Sequence, residues 1–325
     1  MASRGRVVTA LRHLLGTETL TRDEITTLLD QSVPFQEIQR HPLKKLATLR
    51  GKSVVLAFFE TSTRTRISFG TAASRLGADT MNLQAEASSL SKGESLLDTS
   101  RTLEAMKPDV IVIRHSASGA PHFLAERLGI PVINAGDGLH EHPTQGLLDA
   151  LTIRDRLGRL DDLNVTIVGD IRHSRVARSN IHVLSKFGCR ITLCGPAMWV
   201  PTEMACLAEN LYLETNVERA VDGAHVVMVL RVQTERLLEP ALPVDEYIRL
   251  YQMTPQRLEL AQPDAVLMHP GPMIRGLEID PAVADSPQSC VLEQVTNGVA
   301  VRMALLYLLT GGAPAVGAAA GGATG

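Results

Sequence analysis

Short apolar segments alternate with helical patterns along the first half of the chain. The apolar segments are Ser53–Phe59, Thr80–Leu83, Val110–Ile113 and Pro131–Asn134. Helical patterns occur near Thr65–Leu76, through Leu96–Met106 and before Gly129. Buried strands that alternate with helices are typical of a parallel sheet covered by helices on both faces. The pattern therefore predicts an α/β domain.

A second series of the same kind begins after the helical segment that carries Leu147 to Leu157. Its strands are predicted at Asn164–Val168, Arg190–Cys194, His225–Leu230 and Ala265–Met268, again separated by helices. We therefore predict an α/β fold of two tandem domains, each a parallel sheet with helices on both faces. Their expected bounds are residues 1–143 and 144–292.

Three further segments stand outside the two series. Thr21 and Glu24 form a capping box that should open a helix ending before Pro34. The pattern from Val295 to Leu309 predicts a helix that is apolar on much of its surface. Residues 311–325 are rich in Gly and Ala and show no core pattern, so we expect a disordered tail there.

The composition is ordinary for a soluble globular enzyme. The chain has 325 residues, of which 45% are hydrophobic and 21% charged, and its formal net charge is -3. This charge gives no reason to expect nucleic acid as a partner. The four cysteines form no CxxC pair, which favours free thiols in a reducing compartment. No segment has the length of a signal peptide core or a membrane span, so we expect a cytoplasmic protein without membrane contact.

The polar run from Thr61 to Arg66 follows a predicted strand and opens a predicted helix. Hydroxyl and guanidinium groups at that turn lie beside backbone N–H groups that have no helical partner, which suits a doubly charged oxyanion such as phosphate. The alternative interpretation is an ordinary helix cap with arginines on the surface.

Further polar residues follow other predicted strands. They are Arg114, the loop Asn134–His142, Arg175, Arg231 and the run Pro270-Gly271-Pro272. Ligands of open parallel sheets bind outside the carboxyl ends of the strands. A single arginine in such a place is usually solvated or ion-paired, but several at one level indicate a composite site.

A metal site is the alternative interpretation of His140 and His142. Further ligands would have to come from His173, His225 or His269 with Asp170 or Asp137, and none has a recognised ligand spacing. The strand end Val168-Gly169-Asp170 lacks the glycine pattern of dinucleotide sites. We therefore expect neither a metal nor any other cofactor.

Five motifs in chain order resemble those of the catalytic chains of aspartate transcarbamoylases. They are the run Phe58–Arg66, Arg114-His115, His142-Pro143-Thr144-Gln145, Arg231-Val232-Gln233 and His269-Pro270-Gly271-Pro272. The resemblance covers roughly Leu20 to Leu309. It implies transfer of a carbamoyl group from carbamoyl phosphate to L-aspartate in pyrimidine biosynthesis. It also implies that a C-terminal helix, residues 293–310, returns to the first domain.

The resemblance assigns roles to individual residues. The residues implied for catalysis are Arg64, Thr65, Arg114 and His142. Those implied for carbamoyl phosphate are Ser62, Thr63, Arg64, Thr65, Arg114, His142, Gln145, Pro270, Gly271 and Pro272. Those implied for aspartate are Lys92, Arg175, Arg231 and Gln233. Ser89, or else Ser88, and Lys92 would come from a neighbouring subunit of a homotrimer, and Glu60 would pair with Arg175 and Arg236 on domain closure.

Three other functions stay open on the sequence alone. Ornithine transcarbamoylases share the phosphate-binding run but carry a Ser-Met-Gly run and a late cysteine, where this chain has Arg231-Val232-Gln233 and His269-Pro270. A metal-dependent amidohydrolase would use His140 and His142, and a non-catalytic subunit would keep only the fold. The resemblance also allows assemblies of trimers and a dihydroorotase-like or regulatory partner chain.

Overall fold

The computed structural model describes residues 11–84, 94–232 and 242–311. The first series of elements is α1 (Arg22–Arg40), β1 (Ser53–Phe58), α2 (Thr63–Leu76), β2 (Asp79–Gln84), α3 (Leu96–Ala105), β3 (Val110–His115), α4 (Ala120–Ala125), β4 (Val132–Asp137) and α5 (Pro143–Leu157). Its four strands pair in parallel in the order β2-β1-β3-β4.

The second series begins with β5 (Asn164–Val168), α6 (Arg175–Ser185), β6 (Arg190–Cys194), two short 3₁₀ helices (Ala197–Trp199 and Thr202–Leu207), β7 (Leu211–Glu214) and α7 (Val217–Val221). It continues with β8 (Val226–Val229), α8 (Val244–Tyr251), α9 (Pro255–Leu258), β9 (Val266–Met268), α10 (Pro281–Ala284) and α11 (Val291–Leu309). The strands pair in parallel in the order β7-β6-β5-β8-β9. The prediction of two tandem α/β units with parallel sheets is confirmed.

The residues of β1 show why both faces of a sheet are covered. Val54 and Leu56 belong to one hydrophobic cluster, and Val55 and Ala57 belong to another on the opposite face. Since successive strand residues point to opposite faces, a strand buried on both sides is continuously apolar. This explains why the sequence shows short apolar runs and not alternation.

The C-terminal helix α11 packs against α1, α2 and α5. The predicted return of this helix to the first series is therefore confirmed, although it begins at Val291 and not at residue 293. It carries polar side chains, Gln294 and Arg302 among them, that are buried against these neighbours. Within the described residues, no helix is long and apolar enough to span a membrane.

One sequence expectation was wrong, and one strand was missed. The first helix passes through Pro34 and ends at Arg40. Pro34 and Asp30, whose carbonyl loses its helical donor, are both exposed, so water can satisfy that carbonyl, while Phe35 is buried just beyond the proline. Burial of Phe35 thus extends the helix. The short strand β7 was not predicted because it pairs at the sheet edge and only its first residue is buried.

The expected boundary between residues 143 and 144 falls in the first turn of α5. This helix packs against α6 of the second series and also against α11, the helix that returns to the first series. The division into residues 1–143 and 144–292 therefore stays a prediction. The expected disordered tail lies outside the described residues, apart from Gly311.

Candidate active site

A cleft of about 1030 Å³ lies where the carboxyl ends of the two sheets face each other. It brings together every predicted site residue that the structure describes. These are Glu60, Ser62, Thr63, Arg64, Thr65, Arg114, His142, Gln145, Arg175, Arg231, Pro270, Gly271 and Pro272. They follow or end the strands β1, β3, β4, β5, β8 and β9. The composite site expected from strand ends is thus one continuous cavity.

The turn between β1 and α2 forms one wall. Ser62 occupies the N-cap position of α2, but its side chain makes no capping hydrogen bond. The ordinary capping interpretation therefore does not describe Ser62, which lines the cleft together with the first residues of α2. Such a turn provides hydroxyl groups, backbone N–H groups and the positive end of a helix dipole to an anion.

Positive charge dominates the cleft. The charged lining residues that the structure describes are one carboxylate, Glu60, and five arginines, Arg64, Arg114, Arg175, Arg231 and Arg302. Burial and then the nearby charge of Arg231 lower the pKa of Arg64. Guanidinium groups that repel each other in a half-buried cavity are stabilised when an anion binds between them. The cleft therefore favours ligands with several negative charges.

Glu60 accepts hydrogen bonds from Arg175 and Arg114. Its distances to Nη2 of Arg175 are 2.7 and 3.0 Å, and its distance to Nη2 of Arg114 is 3.4 Å. Arg175 is almost fully buried, and its Nη1 has no hydrogen-bond partner within the described residues. Glu60 thus holds Nη2 of Arg175, and Nη1 of Arg175 remains as a donor for a ligand.

His142 lies at the start of α5 and is buried. Its backbone N–H donates to the Ser179 hydroxyl at 2.9 Å, which fixes the backbone at the cleft wall. Burial, followed by the charges of Arg114, Arg302 and Arg175, lowers the pKa of His142 well below 6.5. The imidazole is therefore neutral at physiological pH and can donate one hydrogen bond from one ring nitrogen.

The run after β9 is held by a buried pair. His269 Nδ1 accepts a hydrogen bond from the backbone N–H of Gly271 at 2.8 Å, so its proton lies on Nε2, which donates to Glu278 at 3.1 Å. Both side chains are buried. His269 is thus a structural support for Pro270 to Pro272, and it is not free to bind a metal.

His140 and His142, the pair in the alternative metal interpretation, do not belong to one ligand group within the described residues. His140 hydrogen-bonds Asp137 at 3.1 Å, and that bond raises the pKa of His140. In the described ranges, the one group with ligand atoms close enough for a metal is His122, Asp137 and His140. His142 does not belong to it and lies on the cleft. His140 and His142 therefore lie in different environments, His140 beside Asp137 and His142 in the wall of the cleft.

Four predicted site residues, Ser89, Lys92, Gln233 and Arg236, lie outside the described residues, as does the alternative Ser88.

The sequence analysis missed Arg302 of α11, which lines the cleft. Its guanidinium donates to the Ser68 hydroxyl at 2.8 Å and to the Thr144 hydroxyl at 3.2 Å. Burial lowers its pKa to about 10. The one available signal was a lone charge within an apolar helix.

Two domain profiles match almost the whole described chain. The aspartate/ornithine carbamoyltransferase carbamoyl-P binding domain matches residues 12–155, and the aspartate/ornithine carbamoyltransferase Asp/Orn binding domain matches residues 161–309. The chain belongs to the aspartate/ornithine carbamoyltransferase family. The expectation drawn from its motifs is confirmed at this level.

Two curated members of the family show the sequence similarity. The chain is 58% identical to an aspartate carbamoyltransferase catalytic subunit of Solibacter usitatus, over 92% of this chain and 99% of that one. It is 54% identical to the aspartate carbamoyltransferase catalytic subunit of Moorella thermoacetica, over 93% of this chain and 98% of that one.

Solved structures of the family share the fold. Aspartate transcarbamoylase of Trypanosoma cruzi, in complex with carbamoyl aspartate and phosphate, matches with a TM-score of 0.84 and 30% identity over 92% of this chain and 95% of that one. Ornithine carbamoyltransferase of Pyrococcus furiosus matches with a TM-score of 0.86 and 30% identity over 95% of this chain and 100% of that one. Backbone similarity alone therefore does not separate the two acceptors, whereas the sequence similarity favours aspartate.

Proposed function

We propose that this protein is an aspartate carbamoyltransferase. It transfers the carbamoyl group of carbamoyl phosphate to the amino group of L-aspartate, giving N-carbamoyl-L-aspartate and phosphate, in the second step of de novo pyrimidine synthesis. The observation that carries the proposal is one cleft that combines a phosphate-binding turn with further arginines, Arg175 and Arg231. The naming of relatives up to 58% identical supports aspartate as the acceptor.

The phosphate of the donor binds at the turn before α2. Ser62, Thr63 and Thr65 supply hydroxyl groups, and Arg64 supplies a guanidinium beside the helix N-terminus. Arg114, the penultimate residue of β3, completes this side of the cleft. As the bond to the carbamoyl carbon breaks, negative charge grows on the phosphate, and these fixed donors stabilise it without reorganisation.

The carbamoyl group lies between three donors and two acceptors. Thr65, Arg114 and His142 donate to its carbonyl oxygen, which becomes negative when the amine attacks. The side-chain oxygen of Gln145 and the backbone carbonyl of Pro270 or Gly271 accept from its NH2 group. This arrangement fixes the plane of the carbamoyl group for attack from one side.

The amine proton leaves with the phosphate. His142 is neutral and serves as an oxyanion donor. Glu60, the one carboxylate among the described lining residues, is held by Arg175 and Arg114. The departing phosphate dianion is the nearest base to the attacking nitrogen, so positioning and electrostatics supply most of the catalysis.

The two carboxylates of aspartate bind to the wall of the cleft that the second series of elements forms, where Arg175 and Arg231 lie. Arg175 takes the α-carboxylate, and Arg231, with Gln233 and Lys92, takes the side-chain carboxylate. A cationic ornithine side chain would need an acidic partner. The one acidic residue among the described lining residues, Glu60, is already paired with Arg175. This observation favours aspartate over ornithine.

The active site is shared in a homotrimer. A neighbouring subunit supplies Ser89 and Lys92, so that the phosphate meets a further cation. Glu60 is already paired with Arg175, and Arg236 joins this pair as the two walls approach each other. The enzyme works in the cytoplasm, alone or in assemblies of trimers with a dihydroorotase-like or regulatory chain.

A single assay with two acceptors tests the proposal. The purified chain is given carbamoyl phosphate with L-aspartate or with L-ornithine, and the carbamoylated product is measured. We expect N-carbamoyl-L-aspartate and at least a hundredfold lower rate with ornithine, because the single carboxylate of ornithine cannot pair with both Arg175 and Arg231 and its side-chain ammonium repels a guanidinium. Faster turnover of ornithine, or no transfer to either amine, would overturn the proposal. Unchanged activity after chelation is expected, in contrast to an amidohydrolase.

A further inference from the structure

A buried carboxylate, Asp149, lies one helical turn beyond Gln145 on α5. Its Oδ1 accepts hydrogen bonds from Nε2 of Gln145 at 2.9 Å and from Nε2 of Gln294 at 2.7 Å. Its Oδ2 accepts from Nδ2 of Asn180 at 2.8 Å. Three side-chain amides from three helices therefore converge on one carboxylate beneath the cleft.

The chemistry of a carboxylate fixes the orientation of these amides. An ionised carboxylate only accepts hydrogen bonds, so Gln145 and Gln294 must both turn their NH2 groups toward Asp149. A second contact confirms this orientation for Gln294. Its Oε1 accepts a hydrogen bond at 3.0 Å from the backbone N–H of His269, and a backbone N–H can only donate. For Gln145, the remaining polar atom is Oε1, and this residue lines the cleft.

The position of Asp149 is not explained by packing. Burial raises the pKa of Asp149 to about 6, against the bonds from Asn180, Gln294 and Gln145 and the charge of Arg302. A buried charge costs free energy that an apolar side chain of similar shape would avoid. Packing alone therefore does not account for the carboxylate. Its contribution is to fix the orientation of the Gln145 amide.

We infer that Asp149 is a positioning residue that makes the cleft select a carbamoyl group over an acyl group without NH2. It holds Oε1 of Gln145 as an acceptor for the carbamoyl NH2, and through Gln294 it anchors the backbone at His269 that leads into Pro270. Asp149 itself does not touch the ligand. The inference rests on the proposed function, since it concerns how the same cleft recognises carbamoyl phosphate.

Acetyl phosphate is the discriminating probe, because it has a methyl group in place of the NH2 of carbamoyl phosphate. Dissociation constants are measured for carbamoyl phosphate, acetyl phosphate and inorganic phosphate on the full chain. The variants are Asp149→Asn, which removes the charge, and Asp149→Leu, which removes both acceptors. The matched control is Thr152→Val on the same helix, a buried hydroxyl that bonds Leu148 and Asn297 and lies outside this network.

The unmodified chain should prefer carbamoyl phosphate to acetyl phosphate. Asp149→Asn should reduce that preference roughly fivefold, because hydrogen bonds to a charged acceptor are about twice as strong as neutral ones. Asp149→Leu should reduce it further. Affinity for inorganic phosphate should stay within about twofold in both variants, and the preference of Thr152→Val should equal that of the unmodified chain.

Two results would overturn the inference. One is an unchanged preference in a folded Asp149 variant, and the other is an equal loss of affinity for all three ligands, as a purely structural role would give. If neither Asp149 variant folds, Gln294→Met decides, since it cuts one arm of the network and should lower the preference in part. An unmodified chain that prefers carbamoyl phosphate but transfers nothing to aspartate would contradict the proposed function alone.

Discussion

Nη2 of Arg175 lies 2.7 and 3.0 Å from the two carboxylate oxygens of Glu60, and this ion pair joins the end of β1 to the start of α6. It therefore connects the two walls of the cleft. Because Nη1 of the same guanidinium has no partner within the described residues, Glu60 can hold Arg175 while a ligand carboxylate binds beside it. The pair sets the direction of Arg175 before aspartate arrives.

Replacing Glu60 by Gln should raise the KM for aspartate about tenfold and lower kcat. The reason is that the amide holds a guanidinium less firmly than a carboxylate does, by about 1.4 kcal/mol. Steady-state kinetics measure both constants. Glu126→Gln is the control, because Glu126 forms only an exposed pair with Arg127. A lower KM for aspartate would show instead that Glu60 competes with the ligand for Arg175.

Arg231→Ala should lower kcat/KM for aspartate roughly a hundredfold. A ligand carboxylate would lose a charge-assisted hydrogen bond in a cavity, which costs about 3 kcal/mol. Carbamoyl phosphate binding, followed by calorimetry, should change much less. Arg249→Ala serves for comparison, since its side chain is 73% exposed. Equal losses for both substrates would place Arg231 at the phosphate.

His142→Ala should lower kcat by roughly 10² to 10³, as expected for the loss of one oxyanion donor. The metal content of the protein should not change. His140→Ala should be far milder, because His140 hydrogen-bonds Asp137 and does not line the cleft. Kinetics and metal analysis on both variants check the prediction. Loss of a stoichiometric metal from His142→Ala would revive the hydrolase interpretation.

The depressed pKa of His142 also predicts a pH dependence of stability. The unfolded chain binds a proton on this residue below the usual 6.5, but the native chain does not, so stability falls as the pH falls. Between pH 7.5 and 5.5 the unmodified protein should lose about 1.4 kcal/mol more unfolding free energy than His142→Gln. Urea unfolding at both pH values measures the difference. The raised pKa of Asp149 acts in the opposite direction but is common to both proteins. Equal losses would mean that His142 titrates normally in the native state.

Shared active sites can be tested by subunit mixing. Arg64→Ala and Lys92→Ala chains should each be nearly inactive, because each removes a charge from every phosphate site. Mixed under conditions of subunit exchange, they should form some interfaces with an intact Arg64 on one chain and an intact Lys92 on the other, and these should be active. Mass analysis confirms exchange. A mixture that exchanges yet stays inactive would place Lys92 within its own chain or outside the mechanism.

The sequence predicted the parts of the site that are local. Ser62 to Thr65 were found because a polar turn between an apolar strand and a helix is a contiguous pattern. Arg302 was missed because its importance depends on where α11 packs, which no local pattern encodes. Pro34 was misjudged for the same reason, since tertiary burial of Phe35 outweighs the local preference to end the helix.

The helix nearest the C-terminus among the described residues, α11, forms part of the cleft, because its Gln294 and Arg302 line it beside residues that precede them by more than a hundred positions. During translation, the turn at Ser62 and the loop at His142 leave the ribosome long before α11 does. The first sheet and its neighbours therefore expose the surfaces that α11 later covers on α1, α2 and α5. The described walls of the cleft are therefore complete within one chain only after residue 302 has emerged, so the order of synthesis makes assembly of the binding site a late step of folding.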